Sequence, residues 1–216
     1  NNVTETPKET PKETPKETPP VVSPEEAPVV ESPAVVEEVE TPPEEAPKVA
    51  INELYYDAVG SDTNGILFIE LYGTPSSDLA GFKINLVNGD DGKVYQTLTL
   101  PDGAVTGVDG YFLIADAKTG STSESFVAGS DWIVNFDPQN GPDALQLLNA
   151  EGEFLDALGY GALPLTTTSD TYPLFEGSTA PDVTNGHSLE RKGPGVDTDS
   201  NLTDFVDREA PTPGSY

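Results

Sequence analysis

The chain has 216 residues, and its 38 acidic and 10 basic side chains give it a formal net charge of -28. Nucleic-acid affinity comes largely from lysines and arginines that displace counterions from phosphates, so this charge argues against a nucleic-acid partner. With no cysteine and a single histidine, His187, the chain cannot form disulfides or thiolate metal sites. It also lacks the residues that most zinc enzymes and hydrolase triads need.

Residues 1–48 have the composition of a chain that cannot build a hydrophobic core. They contain 11 of the 21 prolines, 12 glutamates and 4 lysines, but no glycine or aromatic residue, and Pro-Lys-Glu-Thr is repeated three times in residues 7–18. Prolines at this frequency interrupt helices and remove donors from β-ladders, so we predict a disordered, extended segment. We interpret it as an acidic stalk that lifts a domain off a surface. The alternatives are a solvated tail without a task and strand addition by its Val-Val pairs.

Residues 49–216 contain all of the glycines and aromatic residues and have the composition of a folded domain, with a net charge of -20. Short apolar segments, several of them alternating with period two, predict β-strands, and turn-forming residues at 88–92 and 149–152 predict two hairpins. The predicted strands cover residues 49–56, 66–72, 82–87, 94–100, 111–115, 131–136, 144–148 and 153–158. We therefore predict an all-β sandwich of about seven to nine strands, with a barrel as the alternative.

Eight motifs follow one another in a defined order along residues 49–214. They are Val-Ala-Ile-Asn-Glu-Leu-Tyr-Tyr, Phe-Ile-Glu-Leu-Tyr, Gly-Tyr-Phe-Leu-Ile, Asp-Ala-Leu-Gln-Leu-Leu, Asp-Ala-Leu-Gly-Tyr-Gly, His-Ser-Leu-Glu-Arg, Asp-Thr-Asp-Ser-Asn and Pro-Thr-Pro-Gly, which begin at residues 49, 68, 110, 143, 156, 187, 197 and 211. This series resembles the lamin tail domain of bacterial proteins. The order of the motifs is more specific than any one of them.

The resemblance implies an immunoglobulin-like β-sandwich, in agreement with the strand pattern. It also implies a secreted or surface module, because bacterial domains of this type are sometimes appended to extracellular nucleases or phosphatases. The chain departs from those proteins in having no catalytic partner domain, and from nuclear lamins in having no heptad run for a coiled-coil rod. Since a fold does not determine a function, the resemblance says more about architecture than about activity.

One group of residues has the spacing of a cation-binding loop. Asp197, Asp199, Asn201 and Asp204 offer oxygen ligands at intervals that hard cations favour. The match to an EF-hand loop stops there, because the glycine and the terminal glutamate of such a loop are missing. The alternative is that these side chains form hydrogen bonds with their own loop and hold the last segment against the sandwich. We favour this alternative and keep calcium as the one cofactor hypothesis.

Two glutamates, Glu53 and Glu70, lie inside otherwise apolar predicted strands, where an unpaired carboxylate is costly. They would act as an acid and base pair if they faced each other. They would equally accept hydrogen bonds from backbone amides or pair with Arg191. Because a second histidine and a Gly-x-Ser-x-Gly turn are absent, His187 beside Ser188 does not indicate a hydrolase. We predict no catalytic residue.

Two further features predict contact surfaces. Aromatic residues in the predicted strands, such as Tyr72 and Trp132, are expected to pack in the core, but an exposed line of them would bind carbohydrate. The insertion at residues 161–187 is too long for a simple turn, and we expect it to contact a partner.

The sequence thus predicts an exported, non-catalytic binding or structural module at a bacterial cell surface. The absence of an initiator methionine suggests a leader or anchor before Asn1, and no apolar run approaches the roughly 20 residues that span a bilayer. The expected partner is a protein or a cell-surface polymer, and the oligomeric state stays open. Two alternatives remain. One is an accessory domain that targets a secreted nuclease or phosphatase, and the other is a calcium-dependent surface-assembly subunit.

Overall fold

The structure, a computed structural model, describes residues 48–164 and 172–215. The predicted stalk, apart from Lys48, and the threonine-rich part of the long insertion lie outside these residues. The described part contains ten strands, which form two sheets, and one four-residue helix. They are β1 (Val49–Tyr55), β2 (Phe68–Gly73), β3 (Lys83–Asn88), β4 (Val94–Thr99), β5 (Tyr111–Asp116), β6 (Trp132–Val134), β7 (Asp143–Leu148), β8 (Phe154–Tyr160), β9 (Ser188–Arg191), α1 (Asn201–Asp204) and β10 (Phe205–Arg208).

The six-stranded sheet has the order β10-β9-β1-β2-β5-β6, and the four-stranded sheet has the order β4-β3-β7-β8. Neighbouring strands are antiparallel except β5 and β6, which are parallel. The prediction of an all-β sandwich is confirmed, with two separate sheets of immunoglobulin-like character instead of a closed barrel. The strand count was too low because β9 and β10 were not predicted. Each has only four residues, and half or more of them are polar.

Both predicted hairpins are present, and the reason is local. Asn88 accepts hydrogen bonds from the amides of Asp90 and Asp91 on its side-chain oxygen, which closes the turn between β3 and β4. In the same way, Asn149 accepts a hydrogen bond from the amide of Glu153 between β7 and β8. Asparagine side chains commonly stabilise turns through such bonds, so residue type alone was sufficient to predict them.

The hydrophobic core lies between the two sheets. Each inner face contributes aliphatic and aromatic side chains that alternate along the strands, as expected for a sandwich. The central residues are Ile51, Leu54, Ile69, Leu71, Phe112 and Ile114 from the large sheet, and Ile84, Leu86, Leu145, Leu147 and Leu158 from the small one. All of them are nearly inaccessible to solvent.

Strands β1 and β2 are buried on both faces. Antiparallel sheets more commonly expose one face to solvent. Glu70 is completely buried although it alternates with the core residues Ile69 and Leu71. The chain after β10 covers this outer face of the sheet, as described below. No helix in the described part of the chain is long and apolar enough to cross a membrane.

We expect Leu71→Ala to lower the free energy of unfolding by about 2–5 kcal/mol, because the truncated side chain leaves a cavity between the sheets. The matched control is Val108→Ala, which removes apolar atoms from a side chain that is 90% exposed. It should change stability by less than about 0.5 kcal/mol. Urea denaturation of the full chain measures both values. Equal losses in the two variants would contradict this core.

Candidate functional site

Arg191 on β9 is the largest fully buried side chain of the described residues, and it joins the two sheets. Its Nη2 donates to both carboxylate oxygens of Asp156 on β8, at 3.0 and 2.9 Å. Its Nε donates to the carbonyl of Ile51 on β1, at 2.7 Å, and the Ile51 amide donates back to Asp156 at 2.7 Å. The pair therefore connects β8 of the four-stranded sheet to β9 and β1 of the six-stranded sheet.

The other end of the guanidinium organises the loop before α1. Nη1 donates to the Val196 carbonyl at 2.9 Å and to Asp204 at 3.2 Å, and it lies 3.5 Å from Asp197. The guanidinium also lies over the ring of Phe205, 4.6 Å from its centroid. A buried charge is costly unless it is paired and hydrogen-bonded, and these contacts meet that requirement.

Two of the four predicted calcium ligands, Asn201 and Asp204, form hydrogen bonds inside the protein. Asn201 accepts from the amides of Gly159 and Glu176, at 2.9 and 3.2 Å, and donates to the Ala157 carbonyl at 2.7 Å. It thereby ties α1 to β8. Asp204 accepts from the hydroxyl and the amide of Thr198, at 2.6 and 2.9 Å, in addition to Arg191.

The environment of Asp204 favours its ionised form. Burial raises the pKa of this carboxyl, but the hydrogen bonds from Thr198 and the charge of Arg191 outweigh burial and hold the pKa below its ordinary value. The other two predicted ligands are more exposed. Asp197 accepts from the amide of Asp199 at 3.2 Å, and Asp199 itself has a left-handed backbone with φ of 54°. These contacts support the interpretation that the loop is held by its own side chains.

A different group of carboxylates has the spacing of a cation site. Oxygens of Asp156, Glu176 and Asp197 lie within 4.8 Å of one another. One carboxylate oxygen of Glu176 is buried without a hydrogen-bond partner. Burial, and then the charges of Asp156 and Asp197, raise the pKa of Glu176 to about 8, which favours its protonated form near neutral pH. A cation would replace that proton, but Arg191 already supplies positive charge beside it.

Sequence reasoning found only Asp197 of this group. Asp156 and Glu176 are 20 residues apart, and neither shows a ligand spacing with its neighbours. The Asp-Ala-Leu-Gly-Tyr-Gly motif that begins at Asp156 contributes to the family resemblance but does not by itself indicate a ligand. A charged residue inside that apolar strand was the available signal for a buried ion pair.

Glu53, Glu70 and Glu190 form a row across three adjacent strands of the large sheet. The Cα atoms of Glu53 pair with those of Glu70 on β2 and of Glu190 on β9. All three side chains are at most 1% exposed. We call them the glutamate row. The sequence prediction included the first two and missed Glu190, because β9 was not predicted as a strand.

The chain after β10 covers this row on the outer face of the sheet. The Thr212 amide donates to Glu53 at 3.0 Å, and the Thr212 hydroxyl lies 3.2 Å from Glu53 and 3.3 Å from Glu190. The Gly214 amide donates to Glu70 at 2.6 Å. We call residues 211–215 the strap. Of the alternatives considered for Glu53 and Glu70, acceptance of backbone amides is observed, and the Arg191 guanidinium is held by Asp156 instead. The two glutamates are also neighbours across β1 and β2.

The remaining contacts of the row come from its own sheet. Ser188 donates its hydroxyl to Glu53, Asn52 donates to Glu70 at 2.8 Å, and Arg208 pairs with Glu190 at 2.8 Å. Desolvation by burial raises the pKa of Glu53 and raises that of Glu70 to about 7. The row thus holds three carboxylates against a single neighbouring guanidinium.

The structure separates His187 from Ser188. The Nδ1 atom of His187 lies 2.7 Å from Asp207 at the surface, whereas the hydroxyl of Ser188 is buried against Glu53. A histidine that activated this serine would have to contact its hydroxyl. The two side chains are therefore engaged with different partners in different places.

The described part of the long insertion packs against the small sheet. Leu174 is buried with Leu163 over Val87 and Ala144, and Gln146 donates to the carbonyl of Pro173 at 2.8 Å. This portion covers the outer face of the four-stranded sheet. The prediction that the insertion contacts a partner therefore concerns residues outside the described ones or the exposed side of this cover.

An open cleft of about 700 Å³ lies where β1 and β2 meet the loop before α1. Val49, Tyr72, Pro75 and Leu155 provide apolar walls, and Asp197 provides a carboxylate whose side chain is 32% exposed. Tyr72 is fixed by an edge contact with Tyr111, at 4.9 Å between ring centroids. Of the strand aromatics considered for carbohydrate binding, Tyr55, Tyr56 and Tyr160 are buried, whereas Tyr72, Tyr111 and Trp132 are partly exposed.

Neither a protein-family model nor a curated protein matches this chain in comparisons of sequence.

We expect Arg191→Met to lower the free energy of unfolding by about 3–5 kcal/mol, because it leaves Asp156 buried without its counter-ion. Lys93→Met is the matched control, since it breaks an exposed ion pair with Asp91. It should leave the denaturation midpoint nearly unchanged. A small effect of Arg191→Met would show that the buried pair does not connect the sheets.

We also expect Asn201→Ala to lower the melting temperature equally in calcium and in chelator. It removes three hydrogen bonds, of which the two to Gly159 and Ala157 are buried and worth about 1–3 kcal/mol each when the partner is left unsatisfied. Asp199→Asn keeps a residue type that tolerates the left-handed backbone, and it should change neither curve. Melting curves that shift upward with calcium in the wild type but not in Asp199→Asn would instead establish the calcium loop.

Proposed function

We propose that the chain is a non-catalytic binding module of the bacterial lamin tail type, displayed outside the cell on its acidic proline-rich segment. The ordered motifs of residues 49–214 support the family, and the two-sheet architecture agrees with it. One observation carries the proposed non-catalytic role. The side chains that the sequence offered for catalysis, which are Glu53, Glu70, His187 and Ser188, all contact other residues of the protein.

The contacts of these side chains are of a structural kind. Arg191 is used in joining the sheets, Ser188 in anchoring Glu53, and His187 in pairing with Asp207. Catalysis would need a nucleophile or base that reaches a substrate, with a second group to orient it. Binding needs only a shaped surface with a few placed polar groups.

The cleft beside Asp197 is the surface that suits such binding. Its volume of about 700 Å³ lies within the range typical of sites for small ligands or side chains. Its walls include apolar side chains and the ring of Tyr72, while Lys48, Thr74 and Asp197 contribute polar groups. This composition fits a sugar ring or a side chain with a polar end, presented by a cell-surface polymer or a protein partner.

The test is the position of the protein in intact cells of its source. We expect a membrane-impermeant biotin reagent to label the full-length protein, since the proposal places the chain outside the cytoplasmic membrane. Lysines at positions 8, 12 and 16 provide reactive amines in the proline-rich segment. A cytoplasmic protein of known location serves as the control for lysis. Recovery of unlabelled protein in the cytoplasmic fraction, with the control intact, would overturn the proposal.

Binding to cell envelopes of the same source tests the role of the cleft. Pro75→Lys places a long charged side chain at the wall of the cleft, at an exposed position. Val108→Lys adds the same charge at an exposed position that is not among the cleft residues. Binding of the full chain to purified cell envelopes should fall in the first variant and not in the second. Equal binding by both would remove the cleft from the proposal.

A further inference from the structure

The glutamate row has an imbalance of charge that its surroundings do not neutralise. Glu53, Glu70 and Glu190 are buried side by side, and Arg208 contacts only the last of them. Adjacent carboxylates in a site of low polarity cannot all ionise cheaply, so at least one of them retains a proton well above its ordinary range. The geometry therefore favours a proton on the row.

Other charged groups around the row do not remove this imbalance. On the β5 side, Tyr111 is neutral, because burial and the charge of Glu70 raise its pKa to about 12. Ser188 and Asn52 donate hydrogen bonds that stabilise a carboxylate, but both side chains are neutral and supply no positive charge. The strap contributes no titratable side chain, since residues 211–215 read Pro-Thr-Pro-Gly-Ser.

The strap depends on the row for its attachment. Two of its residues are prolines, so its amides are those of Thr212, Gly214 and Ser215. The first two donate to Glu53 and Glu70, and the Ser215 amide donates within the strap to the Thr212 carbonyl at 3.0 Å. Each strap residue is at least partly exposed on its other side. Release of the strap would let water reach the three carboxylates.

We propose that the strap is a protonation-controlled cover, which stays closed over the glutamate row while Glu70 holds a proton and opens when Glu70 is ionised. The closed state buries the carboxylates and the open state hydrates them. A proton therefore binds more tightly to the closed state, and by linkage a rise in pH favours opening. Opening uncovers the outer face of β9, β1 and β2.

The pH range follows from Glu70. Its pKa is raised from 4.5 to about 7 in the closed state, with burial as the largest cause, followed by the opposing hydrogen bonds of Asn52 and Gly214 and the charges of Glu53 and Glu190. Hydrated in the open state, it should titrate near its ordinary value. The closed strap is then fully favoured below about pH 4.5 and loses this advantage as pH rises through about 7. Between pH 6 and pH 8, the opening constant should increase about tenfold.

The experiment is amide hydrogen exchange by NMR on the isotope-labelled full chain, with rates corrected for the intrinsic effect of pH. We expect the protection of the Thr212 and Gly214 amides to fall about tenfold between pH 6 and pH 8. Amides of the core strands β3 and β7 should keep their protection over the same range. Constant protection of the strap amides in the wild type would overturn the proposal.

Two variants separate the row from a general effect of charge. Glu70→Gln removes the titrating group and should hold the strap closed at both pH values, with protection that changes less than twofold. Glu151→Gln removes one negative charge from the exposed hairpin turn between β7 and β8, and it should behave like the wild type. A tenfold fall that persists in Glu70→Gln would overturn the role of the row.

A second measurement needs no variant, in case Glu70→Gln does not fold. Carbon-13 NMR of the side-chain carboxyls of the wild type follows the ionisation of Glu70 directly. We expect its midpoint near pH 7 and coincident with the change in the Gly214 amide. A midpoint near the ordinary value of 4.5, or a strap transition at a different pH, would contradict the proposal. None of these outcomes depends on the location or the partner of the protein.

Discussion

The buried ion pair between Arg191 and Asp156 is the interaction on which the arrangement of the domain depends. The two residues belong to different sheets, and the Ile51 amide and carbonyl of a third strand complete the contact. Hydrophobic packing between the sheets is not directional, so it does not determine how the C-terminal strands align with the rest. A guanidinium with fixed donor directions does. Partners of Arg191 also include Val196 and Asp204, which places the loop and α1.

A second cluster of buried polar groups lies on the outer face of the large sheet. There, the glutamate row accepts the amides of the strap, so that β1 and β2 are covered on both sides. The two polar clusters differ in where the cation lies. Arg191 is central and contacts three carboxylates directly, whereas Arg208 lies at the edge of the row and contacts only Glu190. The first cluster is therefore suited to joining the sheets, and the row to the change with pH that we propose.

This division bears on the proposed function. The loop that resembles a calcium motif is held by protein hydrogen bonds, and the histidine–serine pair is divided between the surface and the interior. Among the described residues, the cleft beside Asp197 and Tyr72 is open to a ligand. Tyr72 belongs to β2 and Asp197 contacts Arg191, so the cleft is built on the sandwich itself. Such a surface suits recognition, which is the role we propose for this chain.

The sequence by itself determined the features that arise from neighbouring residues. Alternation along β3 and the turn chemistry of Asn88 and Asn149 predicted strands and hairpins, because the side-chain period and the hydrogen bonds of a turn are local. The carboxylates of Glu53 and Glu70 were also recognisable, since a charge inside an apolar strand requires a partner. Their partners were not. Thr212 lies 159 residues from Glu53, and Asp156 lies 35 residues from Arg191. Only the packing of distant strands decided which charge faces which, because residue spacing carries no information about contacts across sheets.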